Sequence, residues 1–130
     1  TYPSFDPNIR DITNYLDYNI SYAFEPGSTM KIYSYMAALE TGNYDGTKKY
    51  KSGVYTTKDG TEIGDWQRKG WGNITYDQGF ALSSNVGVIN LINAHLNKDK
   101  LKSFYRKLGF GTKTGIELAN EVYKLRKSLL

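Results

Sequence analysis

The chain has 130 residues and a mass of 14.8 kDa, the size of one ordinary domain, and 39% of its residues are hydrophobic, enough for a buried core. Seventeen basic and thirteen acidic residues give a formal net charge of +4, a mild bias towards anionic surroundings that a solvated basic surface also explains. The lack of cysteine excludes disulfides and thiolate metal sites, and the single histidine excludes a multi-histidine metal site.

The first 27 residues are predicted to be rich in loops. They contain the three prolines of the chain and have no sustained hydrophobic periodicity, with at most a short helix near residues 11–17. No stretch approaches the roughly 18 to 20 consecutive apolar residues of a membrane span, and the turn-rich start TYPSFDPN is not a signal-peptide pattern. We therefore expect this chain to be an excised piece of a longer protein.

A helix and a hairpin are predicted next. From Met30 the apolar spacing fits a mostly buried helix that Gly42 stops, so that Ser28 lies at the helix N-terminus. The apolar positions of this helix are Met30, Ile32, Tyr33, Met36, Ala37 and Leu39. The segment YKSGVYTTKDGTEIGDW has β-favouring residues on both sides of Asp59-Gly60, which predicts a β-hairpin.

The second half of the chain is predicted to be helical. Thr75 and Gln78 form a capping box that opens the short helix TYDQGFAL. After the polar break SSN, the segment VGVINLINAHL is apolar on nearly every side and predicts a buried helix. One more helix precedes Gly109, and the tail NEVYKLRKSLL again has helical spacing. The predicted fold is therefore mainly α with a small β-hairpin.

The segment EPGSTMK has a serine at a helix start and a lysine three residues later. Such a serine is by default an N-cap, because its oxygen accepts a hydrogen bond from an unpaired backbone N–H. Ser28 could instead be a nucleophile, since the helix dipole stabilises a developing alkoxide and Lys31 lies on the same face. Lys31 could act as a base only if burial or nearby cations lower its pKa. The S-x-x-K pattern alone is too short to decide between these roles.

Ser83, Ser84 and Asn85 interrupt apolar sequence at the junction of two predicted helices. Burying three polar residues is costly unless they have partners or line a cleft. Alone, the tripeptide could be a linker with an N-cap. Together with Ser28 and Lys31, it completes the S-x-x-K and S-x-N pattern of β-lactamases and penicillin-binding proteins.

Four segments carry a closer resemblance: YPSFDPN, EPGSTMK, ALSSNVG and LGFGTKTGIEL. In order and approximate spacing they resemble the transpeptidase domain of class B penicillin-binding proteins, from Tyr2 to about Glu121. The resemblance implies the helical half of the α/β penicillin-binding/β-lactamase-like serine transpeptidase fold, with the main antiparallel sheet largely missing. Residues 1–130 would form a partial domain. The origin of residues 122–130 stays open between a distant helix joined across a deletion and simple helix-forming sequence.

The resemblance also implies roles for four residues. Ser28 would be the nucleophile that attacks the D-alanyl-D-alanine carbonyl of a peptidoglycan stem peptide, or the β-lactam that mimics it, and Lys31 would take its proton. Ser83 would relay this proton to the leaving D-alanine, and Asn85 would hydrogen-bond the substrate backbone or the lysine. An amine from a neighbouring stem peptide would then accept the acyl group. No cofactor or metal is implied.

The letters KTG at Lys113 to Gly115 do not correspond to the third motif of these enzymes. That motif lies on a strand facing the nucleophile, whereas this KTG follows a helix closely and resembles a glycine-rich turn of the family. We therefore expect the third motif, with one of the two oxyanion-hole N–H groups, to be missing from this chain. Losing such a donor costs roughly 2.7 to 4 kcal/mol, so little or no turnover is expected.

Other functions stay open from the sequence. A D,D-carboxypeptidase or β-lactamase would pass the same acyl group to water, and a non-catalytic β-lactam sensor or interaction fragment would keep the acylatable serine. Trp66 and Trp71 flank the basic segment QRKG, which could stack on bases or sugars, but aromatic anchors of a surface loop are the simpler interpretation, and no nucleic-acid partner is expected.

The resemblance also implies partners and a location. The expected partners are peptidoglycan stem peptides, β-lactam antibiotics and a cell-wall synthesis complex, whether septal or elongation-specific. The expected location is the extracytoplasmic face of a bacterial cell membrane, with the anchor outside this chain. Helix faces that lack the missing sheet would favour self-association.

Overall fold

The structure, a computed structural model, describes Asn8 and residues 16–122. It contains two compact units, one formed by Thr1–Glu25 with Arg106–Leu130 and the other by Pro26–Tyr105. Most of the segment YPSFDPN, residues 11–15 of the predicted N-terminal helix and the tail from residue 123 lie outside the described residues. The four candidate site residues from the sequence all belong to the unit Pro26–Tyr105.

The described part of the first unit contains one short helix, α1, at Tyr18–Ser21. Asp17 precedes it, and its carboxylate accepts a hydrogen bond from the Asn19 backbone N–H at 2.9 Å, which caps the helix. Ile20 is buried, and its carbonyl oxygen accepts a hydrogen bond of 2.7 Å from the Val122 N–H. This bond connects the two chain segments of the unit.

The second unit is built from helices and two small sheets. A 3-10 turn at Gly27–Thr29 leads into α2 at Met30–Glu40. Four strands follow, β1 at Lys49–Lys51, β2 at Val54–Thr56, β3 at Glu62–Gly64 and β4 at Asn73–Thr75. The helices α3 at Tyr76–Ala81 and α4 at Asn85–His95 follow, and α5 at Lys98–Lys107 begins in this unit. The prediction of a mainly helical chain with a small antiparallel sheet is confirmed.

The predicted hairpin around Asp59-Gly60 is confirmed, and a second strand pair was not predicted. Strands β2 and β3 pair antiparallel, with Tyr55 opposite Ile63, and Gly60 takes a φ of +85° in the turn. Strands β1 and β4 also pair antiparallel, with Tyr50 opposite Ile74. Because the β2–β3 hairpin lies between β1 and β4 in the chain, this second pairing has no local turn signal in the sequence.

The helix α2 is confirmed, but its buried face differs from the prediction. It ends at Glu40, and Gly42 follows with a φ of +73°, as expected for a glycine that ends a helix. Three of the apolar positions expected inside are exposed instead: Ile32 by 49%, Met36 by 41% and Leu39 by 57%. The buried face carries Ser34, Tyr35, Ala37 and Ala38, because this is the side of the helix that packs towards α4 and the aromatic core.

The core of the unit is rich in tyrosine. It consists of Tyr35, Ala38, Tyr50, Ile74, Tyr76, Val86 and Leu91. The Tyr50 and Tyr76 rings stack with centroids 5.4 Å apart, and the Tyr35 hydroxyl donates a hydrogen bond of 3.0 Å to the Tyr76 carbonyl oxygen. The aromatic rings therefore fill the space between the helices; the Tyr35 hydroxyl reaches a polar partner, whereas the buried Tyr50 hydroxyl has no hydrogen-bond partner within the described residues.

Local signals correctly predicted the start of α3. The Thr75 hydroxyl accepts a hydrogen bond from the Gln78 N–H at 3.1 Å, and the Gln78 side chain accepts one from the Thr75 N–H at 3.0 Å. This is the predicted capping box. None of the helices within residues 16–122 is long and apolar enough to span a membrane.

We predict that Leu91→Ala lowers the free energy of unfolding by about 2 to 5 kcal/mol, because the Leu91 side chain is fully buried and its truncation leaves a cavity. Chemical denaturation followed by circular dichroism measures the loss. Leu118→Ala is the matched control outside the core, and it should cost about 0.5 kcal/mol or less because Leu118 is exposed. Equal losses in the two variants would contradict this description of the core.

Candidate active site

The four predicted site residues lie at the starts of two helices. Ser28 is in the 3-10 turn that precedes α2, and Lys31 is in the first turn of α2. Ser83 lies in the connection between α3 and α4, and Asn85 is the first residue of α4. These two helix starts are distant in the chain, and they lie close together in space because α2 packs against α4.

Lys31 and Ser83 are in direct contact. The Lys31 Nζ donates a hydrogen bond of 3.1 Å to the Ser83 Oγ, and it also donates to the Ser83 backbone carbonyl oxygen. The two residues are 52 positions apart in the chain. The structure thus brings the S-x-x-K and S-x-N segments together through the lysine.

Ser28 does not act as a helix cap. Its side chain is exposed, and neither the 3-10 turn nor α2 has a side-chain N-cap hydrogen bond. Within the described part of the chain, the Lys31 Nζ donates to Ser83 and not to Ser28. The default interpretation of Ser28 as a cap is therefore wrong, and its hydroxyl stands at the start of α2 without a capping role.

Ser83 has an unusual backbone conformation. Its φ is +55°, in the left-handed region, which costs a non-glycine residue roughly 1 to 2 kcal/mol. Hydrogen bonds on both sides hold it there: the Ser83 N–H donates to the Phe80 carbonyl oxygen at 3.0 Å, and the Ser84 N–H donates to that of Gly79 at 2.8 Å. Strained residues of this kind are typical of functional sites.

Asn85 is held by the hairpin. Its side-chain Nδ2 donates a hydrogen bond of 2.8 Å to the Gly64 carbonyl oxygen at the end of β3. The Ser84 hydroxyl accepts one of 2.8 Å from the Gly87 N–H and so caps α4, as a linker with an N-cap was expected to do. In this turn Ser84 therefore caps α4, while its neighbours Ser83 and Asn85 are the residues of the S-x-N pattern.

The sequence did not point to Asp65, the most buried acidic residue near this turn. Only 2% of it is exposed, and its carboxylate accepts hydrogen bonds from the Ser84 hydroxyl at 2.9 Å and the Val86 N–H at 3.0 Å. The other carboxylate oxygen accepts one of 2.9 Å from the Gly53 N–H. Asp65 follows a short strand and precedes an exposed tryptophan, so no local signal distinguishes it from an ordinary surface loop residue.

The environment of Lys31 changes its basicity in two opposed ways. Burial lowers the pKa of the Lys31 amine from its usual value, because the charged form loses hydration, and the negative charge of Asp65 raises it. The net direction is downward. A lowered pKa makes the neutral amine more available as a proton acceptor.

Two glycines allow the site helices to approach the sheet closely. A Cβ atom at Gly79 of α3 or at Gly87 of α4 would overlap the hydroxyl of Tyr50, which lies on β1. Tyr50 is buried in the core beneath the turn. The position of the Ser83–Asn85 turn therefore depends on the absence of side chains at these two residues.

The remaining sequence features take no part in this arrangement. Trp66 is 74% exposed and packs edge-to-face on Trp71, with ring centroids 5.6 Å apart. Residues 113–115, the KTG letters, are not in a strand, as expected. His95 lies near the C-terminal end of α4 beside the Tyr76 ring. No cluster of three or more metal-ligating side chains occurs among residues 16–122.

Comparison with known proteins agrees with the resemblance. Residues 1–127 match the family model of the penicillin binding protein transpeptidase domain. The chain is 36% identical over 125 residues to stage V sporulation protein D of Bacillus subtilis, covering 92% of this chain and 19% of that protein. It is 27% identical over 136 residues to the peptidoglycan D,D-transpeptidase MrdA of Acinetobacter baumannii, covering 92% of this chain and 20% of that protein.

The fold also matches a solved structure. The crystal structure of a peptidoglycan glycosyltransferase from Burkholderia ambifaria superposes with a TM-score of 0.76 at 23% sequence identity, over 88% of this chain and 36% of the other. At this identity the match supports the fold alone. The chain spans about a fifth of the length of the two curated relatives.

We predict that Gly87→Ala lowers the free energy of unfolding by about 1 to 3 kcal/mol, because the added methyl group overlaps the Tyr50 hydroxyl. The same substitution in a Tyr50→Phe background should cost less, since the overlapping oxygen is gone. Chemical denaturation of the four proteins of this double-mutant cycle measures the difference. An equal loss in both backgrounds would mean that Tyr50 does not limit the approach of α4.

Proposed function

This chain belongs to the family of penicillin-binding protein transpeptidase domains, and on that premise we propose that it carries the acylation centre of a class B, serine-type D,D-transpeptidase. The complete enzyme cross-links peptidoglycan stem peptides through an acyl-serine intermediate and is acylated by β-lactams. The single observation that carries this proposal is the contact of Lys31 with Ser83, which joins the two motifs at one place.

In the proposed acylation step, the Ser28 Oγ attacks the carbonyl carbon of the penultimate D-alanine, and Lys31 takes the serine proton. The bond from this carbon to the nitrogen of the terminal D-alanine breaks, and Ser83 passes the proton from Lys31 to the leaving amine. The hydrogen bond between Lys31 and Ser83 supports this relay, and the lowered pKa of Lys31 supports its role as base.

Ser28 suits the role of nucleophile for two reasons. Its side chain is exposed, and its hydroxyl is not consumed by a capping hydrogen bond to α2. The amine of Lys31 is one helical turn away in sequence and donates to Ser83. Catalytic hydrogen bonds often form only in the complex with substrate, so this arrangement is compatible with a later contact between Lys31 and Ser28.

We propose that Asn85 binds the substrate backbone with the part of its amide that the hairpin does not use. Its Nδ2 already donates to the Gly64 carbonyl oxygen. The side-chain oxygen and the second N–H hydrogen are then available for the peptide or for Lys31. A fixed amide next to the proton relay would orient the scissile bond towards Ser28.

We further propose that the third motif lies outside these 130 residues, so that residues 1–130 are a partial transpeptidase domain. The KTG letters at residues 113–115 are outside any strand, which agrees with this proposal. One oxyanion-hole donor would then be missing, and acylation of this chain alone would be slower by roughly a hundred- to a thousand-fold.

The first test is covalent labelling of this chain, and of a chimera in which it replaces the matching segment of stage V sporulation protein D, by a fluorescent penicillin. We expect a serine adduct in the chimera, little in the chain alone and none in either protein with Ser28→Ala. Intact mass and peptide mapping locate the adduct, and circular dichroism verifies folding.

Two results would contradict the proposal: an adduct that persists in Ser28→Ala, or no adduct in a folded chimera. The lifetime of the adduct addresses the alternative functions. Rapid loss of the label to water would indicate a D,D-carboxypeptidase or β-lactamase, whereas a long-lived adduct without cross-linking of stem peptides would indicate a sensor.

We also propose, from the family, that the complete protein acts at the extracytoplasmic face of the membrane within a cell-wall synthesis complex for division or for cell shape. For this chain alone we propose self-association through the exposed α2 face, defined by Ile32, Met36 and Leu39. Their spacing places the three side chains on one side of the helix, where a second copy would cover them.

We predict that sedimentation velocity detects concentration-dependent dimers of this chain and that Leu39→Lys shifts them towards monomer, because a charge in the apolar contact is costly. Val54→Lys is the matched control, with the same charge change at an exposed strand position away from that face. A chain that stays monomeric at every concentration would rule out this self-association.

A further inference from the structure

Asp65 is a buried carboxylate with no role in the proposed proton transfer. Only 2% of the residue is exposed, and a buried carboxylate is destabilising unless it is fully hydrogen-bonded or paired. Asp65 has no salt bridge within residues 16–122, where the ion pair observed is that of Arg68 with Glu62. Neutral donors stabilise it instead, and they are the Ser84 hydroxyl, the Val86 N–H and the Gly53 N–H.

These donors connect two structural elements. Val86 is the second residue of α4, so Asp65 accepts a hydrogen bond from one of the unpaired N–H groups at the positive end of that helix. On the other side, Asp65 and Gly53 exchange two hydrogen bonds, of 2.9 Å to the carboxylate and 2.8 Å between the backbones. Asp65 therefore fixes the start of α4 to the base of the β2–β3 hairpin.

The turn that begins α4 is bound by a different partner at each of its three residues. Lys31 donates to Ser83, Asp65 accepts from Ser84, and the carbonyl oxygen of Gly64 accepts from Asn85. Ser83 keeps its left-handed conformation inside this arrangement. A turn that is strained at one residue relaxes when the hydrogen bonds that hold it are removed. Asp65 accepts two of the hydrogen bonds that hold this turn, from Ser84 and Val86.

We propose that Asp65 is a positioning residue of the acylation centre: it holds the Ser83–Asn85 turn in place through Ser84 and Val86. It touches neither the substrate nor Ser28, and it acts through the residues that do. This inference rests on the function proposed above for Ser83, Asn85 and Lys31. It adds a residue for which the sequence pattern gave no signal.

Two elements next to Lys31, α4 and the 3-10 turn, bring no Asp, Glu, Lys or Arg to it. The helix α4, which packs against α2, carries no Asp, Glu, Lys or Arg, and its titratable residue, His95, is at the far end. The 3-10 turn has no charged residue either, and the exposed Glu62 of β3 is paired with Arg68. Asp65 is the group whose charge raises the pKa of Lys31 against the lowering effect of burial.

Removing the negative charge of Asp65 changes the pKa of Lys31 in a predictable direction. The pKa of Lys31 falls further, so the neutral amine exists at lower pH and the acid limb of the acylation profile moves to lower pH. The maximal acylation rate falls at the same time, by about tenfold, because the turn that carries Ser83 and Asn85 loosens. A residue with only a packing role would lower the rate and leave the acid limb where it was.

The test compares Asp65→Asn with Glu62→Gln, which removes an exposed carboxylate from the adjacent strand. Asparagine keeps the shape and one acceptor oxygen of Asp65 but removes the charge. NMR titration of ¹³C-labelled lysine, assigned with Lys31→Arg, measures the Lys31 pKa in this chain without any substrate. The acylation rate with fluorescent penicillin is measured against pH in the chimera.

We expect Asp65→Asn to lower both the Lys31 pKa and the maximal rate, with the acid limb moving as far as the pKa does, and Glu62→Gln to change neither. An unchanged maximal rate in a folded Asp65→Asn chimera would overturn the proposal, and a slower rate with an unmoved acid limb would indicate a packing role instead. If the chimera with the unchanged sequence is not acylated, the proposed function fails, while the NMR titration still tests the coupling of Asp65 to Lys31.

A further variant covers the case in which Asp65→Asn does not fold. Ser84→Ala removes one of the hydrogen bonds to Asp65, together with the cap on the Gly87 N–H, and leaves the carboxylate in place. We expect a slower maximal acylation rate with an unchanged Lys31 pKa, because the turn is loosened and the charge is retained. An unchanged rate in a folded Ser84→Ala protein would overturn the positioning role of Asp65.

Discussion

The hydrogen bonds from Lys31 to Ser83 are the contact on which the rest of the site depends. They join the start of α2 to the turn before α4. These hydrogen bonds offset the hydration that the Lys31 amine loses on partial burial. The same burial lowers the pKa of the amine. One contact therefore holds the two motifs together at a place where the lysine is partly buried.

The tertiary structure makes this contact possible by bringing α3 and α4 unusually close to β1. Gly79 and Gly87 face the Tyr50 hydroxyl without side chains, and Tyr50 itself stacks on Tyr76 in the core. The turn between the helices is then held by the hairpin through Asp65 and Gly64. The small sheets are thus part of the site, although none of the four motif residues lies in a strand.

The chain contains the serine and lysine of the first motif and the turn of the second, within about a fifth of the length of its curated relatives. In the function proposed above, the contact between Lys31 and Ser83 requires α2, α4 and the hairpin, whereas a complete oxyanion hole would also require a strand facing Ser28. Under the proposal that the third motif lies outside these 130 residues, this chain would hold the base and the relay together and lack one oxyanion-hole donor.

Residues close together in the chain were enough to predict the capping box of Thr75 and Gln78, the Asp59-Gly60 hairpin and the end of α2 before Gly42. Its motifs also indicated the family correctly. The sequence could not give the β1–β4 pairing, the buried face of α2 or the place of Asp65. Each of these three features depends on partners distant in the chain, and neither hydrophobic periodicity nor a turn signal records which distant surfaces meet.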